Sequence, residues 1–241
     1  MQLLLLWFGL AIVAWVIALL SKRRPHRDAW PAYLFALPLA IQVAHVLDSV
    51  HAPLLVSVHD LAVLLQQIAS ATFLALLVVL FSSRQSVSGP RATRSQRMVA
   101  LLGTFILYAV AFVPMEPSSS TGNLLASSVV ALVGTGFAIW SLATLGQCFG
   151  IFPEARGLVL RGPYRLVRHP VYLGEVTGAL GLLLARPHVL TLILLLVFTG
   201  FQYWRTVLEE RALAAAFPNE YPVYRARVPR LVPGWRRSAA G

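Results

Sequence analysis

The chain has 241 residues, of which 58% are hydrophobic and only 12% are charged. Soluble domains carry about 25% charged and about 45–50% apolar residues, so this composition excludes a disordered chain and most soluble enzymes. The single cysteine, Cys148, excludes an internal disulfide. The formal net charge of +11 would suit phosphate binding, but the basic residues lie in short clusters between long apolar runs, which argues against nucleic acid as a partner. The composition predicts an all-α, polytopic membrane protein.

Apolar runs recur along the chain, and about 20 apolar residues suffice to cross the hydrocarbon core of a bilayer. The sequence predicts five transmembrane helices, over 3–20, 32–50, 61–81, 98–114 and 124–145. Two further runs, 171–185 and 189–204, are separated only by Arg186-Pro187-His188. We interpret this pair as a helical hairpin near the membrane rather than as two independent spans, which gives about seven hydrophobic helices.

The distribution of positive charge predicts the orientation, because cytoplasmic loops are rich in Lys and Arg. The first run has no positive segment before it and is followed by Lys22, Arg23, Arg24 and Arg27, which is not the pattern of a cleaved signal peptide. With that end in the cytoplasm, alternation places nineteen of the twenty basic residues on the cytoplasmic side, and only Arg186 lies opposite. We expect the N-terminus outside and the C-terminus inside. The arginine-rich composition points to a bacterial inner membrane.

Polar residues of the N-terminal half lie near the outer ends of the predicted spans. His45, Asp48 and His51 follow one another at intervals of three, and His59-Asp60 opens the third span. This spacing matches no strong zinc signature, so we interpret these residues as polar groups at the outer interface and expect no metal site. Gln66-Gln67, within the third span, are interpreted as partners in hydrogen bonds between helices.

Chemically active residue types are concentrated between residues 145 and 233. Pro170 suits the first turn of a helix, where its missing N–H is harmless. Arg168 and His169 precede that turn, so arginine and free helix N–H groups together offer a site for a carboxylate or phosphate. Arg205 and Glu209, at i and i+4, lie on one face of the second helix of the hairpin.

Closure of the hairpin would bring these groups of opposite charge together at the cytoplasmic surface. S-adenosylmethionine requires such a pocket, because it carries a carboxylate, an amino group and a sulfonium. Tyr164 and Tyr172 offer aromatic faces for the adenine or for cation–π contact with the sulfonium.

The stretch Gly162-x-Tyr164-x-x-x-Arg168-His169-Pro170-x-Tyr172, followed by Glu209-Glu210 and then by Phe217 and Tyr221, resembles the isoprenylcysteine carboxyl methyltransferase family. Phospholipid N-methyltransferases are related to that family. The likeness covers roughly residues 133–233 and includes Leu145-Gly146-x-x-Phe149. It implies a cytoplasm-facing pocket for S-adenosylmethionine, walled by the C-terminal helices, and a lipophilic acceptor that arrives from the bilayer. Residues 1–97 would form a three-helix extension, and residues 98–241 the methyltransferase core with its cofactor region at 145–233.

The resemblance also implies roles for single residues. Arg205 falls where the eukaryotic enzymes meet the substrate carboxylate, and Arg168 stands beside the cofactor run at the helix start. We expect Arg205 to orient the acceptor and Glu209 to hold the cationic end of the cofactor. A carboxylate or thiolate acceptor would need no base, whereas a neutral hydroxyl or a protonated amine would need His169 or Glu210 as a proton acceptor. The family's cofactor contacts fall on Leu158, Val159, Tyr164, His169, Pro170, Val171, Tyr172 and Glu209. Together with Arg168, they make nine residues that we expect to bind the cofactor.

Two other functions remain open from the sequence. The first is an NADPH-dependent membrane reductase of the sterol-reductase type, which shares a related C-terminal architecture but lacks the glutamate pair. The second is a non-catalytic membrane scaffold or transporter subunit, although a transporter would place its polar residues near the midplane of the bilayer. The sequence also leaves open whether an oxygen, sulfur or nitrogen atom of the acceptor receives the methyl group.

Overall fold

The computed structural model describes residues 35–51, 57–83, 87–113 and 121–232, so the predicted first span, 3–20, lies outside the described residues. Within those ranges every regular element is a helix. The prediction of an all-α, polytopic membrane protein is confirmed. The α-helices are α1 (Ala36–His51), α2 (Val58–Ser83), α3 (Arg94–Phe105), α4 (Thr121–Leu145), α5 (Pro170–Ala185), α6 (Val189–Ala216) and α7 (Glu220–Arg227).

Three of these helices are long and apolar enough to cross a membrane, namely α2, α4 and α6. Helix α6 has 28 residues, which at 1.5 Å per residue makes it about 42 Å long, against a hydrocarbon core of about 30 Å. The apolar run had suggested an end at residue 204, but no Gly or Pro interrupts the chain between Phe201 and Ala216, and Pro218 follows the last turn. The second helix of the predicted hairpin is thus itself a candidate span, whereas α5 is shorter, with 16 residues.

The predicted span 98–114 is divided into two parts. Helix α3 begins with a capping box, in which Thr93 and Gln96 exchange side-chain and backbone hydrogen bonds, and it passes into a 3-10 helix over Ile106–Phe112. Arg186, from the turn between α5 and α6, donates from Nη1 to the carbonyl oxygens of Val110 and Val113 at 3.0 and 3.1 Å. The one basic residue that falls outside the predicted cytoplasmic clusters therefore satisfies carbonyls at the end of this element.

Helices α4 and α5 are in close backbone contact through small residues. A Cβ atom added at Gly134 of α4 would lie 2.2 Å from the backbone nitrogen of Gly178, and one added at Gly174 of α5 would lie 2.7 Å from that of Ala138. Small residues permit this approach in membrane helices, where van der Waals packing replaces the hydrophobic effect between helices. The pair forms a rigid wall beside which the candidate site lies.

The N-terminal helices join the same core. Phe35 stacks on Phe81 with ring centroids 5.7 Å apart, and Phe81 meets Phe149 edge to face at 5.1 Å. Ser49 on α1 donates to the side-chain oxygen of Gln67 on α2 at 2.8 Å, which confirms an interhelical hydrogen bond for that glutamine. The proposed division at residue 97 stays a prediction, since helices from both sides of it pack together here.

Asp60, near the start of α2, has a local structural role. Ser57 donates from its amide and its hydroxyl to Asp60 Oδ2 at 3.1 and 2.8 Å, and its hydroxyl accepts from the Asp60 amide, so the two residues cap the helix. In the part of the chain that the structure describes, no three His, Cys, Asp or Glu side chains come together in a way that could hold a metal ion. The side chains of His51 and His59 are outside that part.

Candidate functional site

A cavity of about 110 Å³ lies where the segment 145–168 meets the start of α5 and the C-terminal part of α6. Of the residues predicted from the sequence, Pro170 and Glu210 do not line it. Those that do are Leu158, Val159, Tyr164, Arg168, His169, Val171, Tyr172, Arg205 and Glu209. The hairpin has therefore closed as expected, and it brings the two motif regions to one place.

Two glycines shape the segment that carries Leu158 and Val159 to the cavity. Gly146 and Gly162 have φ angles of +56° and +58°, a left-handed conformation that side chains with a Cβ atom rarely adopt. A Cβ atom on Gly162 would also lie 3.1 Å from the side chain of Thr144. Leu158 and Val159 stand between these turns and present apolar side chains to the cavity.

The start of α5 is tied to the C-terminal segment. The amides of Arg168 and His169 donate to the carbonyls of Pro229 and Arg230 at 2.9 and 3.1 Å, and Pro170 then opens the helix. The hydroxyl of Tyr224 on α7 donates to the Tyr164 carbonyl at 2.7 Å. These contacts fix the motif residues from behind, so the side chains of Arg168 and His169 are held at the cavity.

Glu209 faces the cavity and is partly open, with 24% of its side chain exposed. Its carboxylate accepts a hydrogen bond from the hydroxyl of Tyr172 on α5. Nδ1 of His169 lies 3.6 Å from its other oxygen. A carboxylate with one neutral donor, one histidine and an open side can still accept a donor or a cation from a ligand.

Glu210 has the opposite environment, because its side chain is 5% exposed and surrounded by cations. Arg230 donates to both of its oxygens, at 2.9 and 2.6 Å, and Arg168 Nη1 lies 3.2 Å away. His169 Nε2 lies 3.3 Å from the same carboxylate. This cluster joins α6 to the C-terminal segment, and the Glu210 carboxylate, already satisfied by these partners, is not available to a substrate.

His169 lies between the two glutamates and is buried. Burial lowers the pKa of an imidazole, but the hydrogen bonds and negative charges of Glu209 and Glu210 outweigh that effect and raise the pKa above its ordinary value of 6.5. The imidazolium form is thus favoured by the carboxylates on both sides.

Arg205 is buried on the α6 wall of the cavity, with 4% exposure. It donates from Nη1 to the side-chain oxygen of Gln202 at 3.0 Å and from Nη2 to the carbonyl of Ile151 at 3.2 Å. Its guanidinium carbon stands 4.8 Å from the centroid of the Tyr172 ring. Within the described residues Arg205 makes no ion pair with Glu209. Both residues nevertheless line the same cavity.

Several residues at the site carry no motif signal. Glu154 lines the cavity and pairs with Arg156 at 2.9 Å, and it also accepts from the Ala92 amide at 3.2 Å. Glu175 lines the cavity one turn after Tyr172. It is the only ionisable side chain between Tyr172 and Arg186, and an ionisable group inside an apolar helix is a functional candidate by default. That signal was available in the sequence.

The chemistry of this residue set suits S-adenosylmethionine. The apolar Leu158 and Val159 suit a planar base, the open carboxylate of Glu209 suits a cation, and Arg168 suits a carboxylate. Nε of Arg168 is buried and, among the described residues, has no hydrogen-bond partner. A buried donor without a partner costs free energy, so an anionic ligand group would satisfy it.

Residues 123–220 match the family model described as phospholipid methyltransferase. The match covers about two fifths of the chain. The matched residues include α4, α5, α6 and the intervening segment that builds the cavity. The resemblance to isoprenylcysteine-methyltransferase-like membrane methyltransferases, which rested on the motif residues, is thereby confirmed.

Two curated proteins are similar to part of this chain. The chain is 37% identical over 98 residues to the cobalt-zinc-cadmium resistance protein CzcN of Cupriavidus metallidurans, a match that covers 39% of the chain and 45% of that protein. It is 37% identical over 129 residues to methanethiol S-methyltransferase 1 of Bradyrhizobium diazoefficiens, covering 45% of the chain and 43% of that protein. The chain thus spans less than half the length of the curated relatives it matches.

Proposed function

We propose that the protein is an integral membrane methyltransferase that uses S-adenosylmethionine to methylate a lipophilic acceptor. The observation that carries this proposal is the cavity itself, which is lined by eight of the nine residues that the motifs predict for the cofactor. The match of residues 123–220 to the phospholipid methyltransferase family model supports the same reaction class. The acceptor group would be a carboxylate, a thiol or an amine. The Bradyrhizobium relative is named a methanethiol S-methyltransferase, which favours a thiol.

The cofactor would supply a methyl group on a positively charged sulfur. Glu209 would hold the cationic end, and Arg168 would hold the carboxylate, because the two side chains present opposite charges to one cavity. Leu158, Val159 and Tyr164 would cover the base and keep water away from it. Transfer of a methyl group is an in-line displacement, so alignment of the two reactants and exclusion of water supply most of the acceleration.

Arg205 and Tyr172 would fix the end of the cavity where the acceptor arrives. The Arg205 guanidinium lies against the Tyr172 ring and also donates to the Ile151 carbonyl. A rotation of Arg205 would break both contacts, and a rotation of Tyr172 would break the contact between the two side chains. A rigid wall of this kind holds the acceptor on the line of displacement.

We also propose that the site opens to the cytoplasm of a bacterium and that the protein lies in the inner membrane. The charge distribution supports this orientation, since the segment 146–170 and the chain from Arg205 onward hold eleven of the twenty basic residues. A reporter enzyme that is active only in the periplasm, fused after residue 241, should be inactive. The same reporter inserted between residues 115 and 120, which the predicted topology places on the opposite side of the membrane, should be active.

Binding of S-adenosylmethionine and of NADPH to the purified protein in detergent is the direct test. We expect binding of S-adenosylmethionine alone, measured by calorimetry, and loss of that binding in the double variant Arg205→Ala/Glu209→Gln. The matched control is Glu220→Gln/Arg225→Gln, which changes the same kinds of charge on the exposed face of α7 and should bind normally. Binding of NADPH instead would favour the membrane reductase, and binding of neither by a folded protein would favour a scaffold.

A further inference from the structure

A second cavity, of about 270 Å³, lies among α2, α3, α4, α5 and α6. It adjoins the first cavity, since both are lined by Phe35, Leu77, Thr104 and Glu175. An apolar cavity of about 150 Å³ accommodates benzene, so by proportion this one has room for roughly ten non-hydrogen atoms. Three of these helices, α2, α4 and α6, are candidate membrane spans, so the position of this cavity suits a lipophilic molecule next to the site proposed for the cofactor.

Glu175 is the only charged side chain that lines this second cavity within the described residues. Nε2 of Gln202 donates to one of its oxygens. The orientation of the Gln202 amide is set from the other side, because its oxygen accepts from Arg205 Nη1 at 3.0 Å. Arg205 therefore turns the NH₂ group toward Glu175, and this chain of contacts holds the carboxylate at the junction of the two cavities.

Glu175 differs from the other carboxylates of the site in its partners. Glu154 pairs with Arg156 at 2.9 Å, and Glu210 pairs with Arg230 at 2.6 Å. Glu209 has His169 at 3.6 Å. In the described part of the chain no cationic group lies within 4.0 Å of Glu175. A carboxylate whose charge is not neutralised by a close cation keeps its basicity, so this is the one best suited to take a proton.

Resting on the proposed function, we propose that the second cavity binds a lipophilic thiol and that Glu175 takes the proton of its S–H group. The acceptor sulfur gives this proton to a Glu175 oxygen and forms the new bond to the methyl carbon. The old bond between that carbon and the positively charged sulfur breaks, and its electron pair stays on the departing neutral thioether. The products are a methyl thioether, the demethylated cofactor and a protonated Glu175.

The apolar lining is the reason that a base is needed. An apolar chamber favours the neutral form of whatever it binds, and a neutral thiol is a weak nucleophile compared with its thiolate. A neutral amine would need no deprotonation before attack, and a carboxylate acceptor would be repelled by Glu175. A lone carboxylate at the reactive end of an apolar chamber therefore fits a thiol best.

The variant Glu175→Gln tests this role, because it keeps the shape of the side chain and removes its basicity. With 1-hexanethiol and methyl-labelled cofactor, we expect the rate at pH 7 to fall by about 100-fold or more, as general base catalysis contributes about 10²–10⁴. Affinity for S-adenosylmethionine should change by less than about threefold, and 1-hexanethiol should still bind without cofactor in equilibrium dialysis. Thr177→Ala, on the same helix but outside both cavities, is the matched control and should retain the wild-type rate.

The dependence on pH provides a second test that needs no variant. The wild-type rate with 1-hexanethiol should vary by less than about threefold between pH 7 and 8.5, although the thiolate fraction in solution grows about 30-fold. Glu175→Gln, which can use only preformed thiolate, should recover by about tenfold per pH unit. A wild-type rate that follows the thiolate fraction overturns the proposal, and so does a variant that is as fast as the wild type at pH 7.

Whether the second cavity binds the thiol can be tested by making that cavity smaller. Ser70→Leu on α2 narrows the second cavity and should shift the preferred acceptor from 1-hexanethiol to a shorter thiol. Thr72→Leu, on the exposed side of α2, should leave the preference unchanged.

A wild type that binds S-adenosylmethionine but methylates no thiol overturns this inference alone. A wild type that binds no S-adenosylmethionine overturns the proposed function, and this inference with it.

Discussion

The hydroxyl of Tyr172 on α5 donates a hydrogen bond to the carboxylate of Glu209 on α6. The two side chains come from the two arms of the hairpin and meet at the wall of the first cavity. The contact therefore holds the two arms of the hairpin together and fixes the position of the Glu209 carboxylate in the cavity wall.

Glu209→Gln should weaken binding of S-adenosylmethionine by about 10-fold to 100-fold, because a charge-assisted contact to the cationic end of the cofactor is worth about 1.5–3 kcal/mol. Tyr172→Phe keeps the charge and removes only the hydroxyl, so its effect should be smaller. Calorimetry in detergent gives both values, and Glu220→Gln on the exposed start of α7 serves as the control. Unchanged affinity of Glu209→Gln would refute its role.

Glu210 should contribute to the stability of the fold rather than contact the cofactor itself. Glu210→Gln leaves Arg168 and Arg230 without their carboxylate, and removal of one partner from a buried pair costs about 3–5 kcal/mol. In a domain of this size that corresponds to a fall in Tm of about 6–12 °C at the lower end of the range. Thermal unfolding in detergent checks this expectation. Arg227→Ala, which removes an exposed charge of α7, should leave Tm nearly unchanged, and an equal effect of the two variants would argue against the cluster.

The stability of the protein should depend on pH through His169. Its pKa is raised in the folded state by Glu209 and Glu210, against the opposing effect of burial. The stabilisation is fully present below the unfolded value of about 6.5 and is lost as the pH rises through the higher folded value. Tm measured across this window should fall with rising pH in the wild type and less steeply in His169→Gln. Parallel curves for the two proteins would contradict this assignment.

The contact between α4 and α5 should tolerate no added methyl group at Gly134. A Cβ atom there would lie 2.2 Å from the Gly178 nitrogen, so Gly134→Ala must push the helices apart at a cost of about 1–3 kcal/mol. Gly136, two residues away on α4, has open space where its Cβ atom would stand. Gly136→Ala should therefore be neutral or slightly stabilising, because alanine is the better helix former. Comparison of the two Tm values checks the packing, and equal values would refute it.

The residue types and spacings predicted much of the candidate site. Pro170 marked the start of α5 because its chemistry suits a first helical turn, and the motif residues on either side of the hairpin do meet in one cavity. The apolar runs also predicted α2 and α4, since hydrophobic length is a local property of the chain. The extension of α6 beyond residue 204 was missed because the charges of Arg205 and Glu209 end the apolar run without ending the helix.

What the sequence did not predict depends on contacts between distant residues. The spacing of Arg205 and Glu209 placed both residues on one face of a helix, but it could not predict that Arg205 donates to the carbonyl of Ile151, 54 residues away. Glu175 was overlooked because it stands inside an apolar run, and only packing against Gln202 gives it a place at the site. Periodicity and composition carry no information about such pairs.

The amides of Arg168 and His169 bond to the carbonyls of Pro229 and Arg230, and this has a consequence for biosynthesis. The ribosome makes the motif about sixty residues before the segment that holds it in position. The start of α5 therefore lacks these two hydrogen bonds until residues 229 and 230 have left the exit tunnel of the ribosome. A nascent chain stopped before that point would have all the cavity residues but not the backbone contacts that fix Arg168 and His169, so the site is complete only after this segment has emerged.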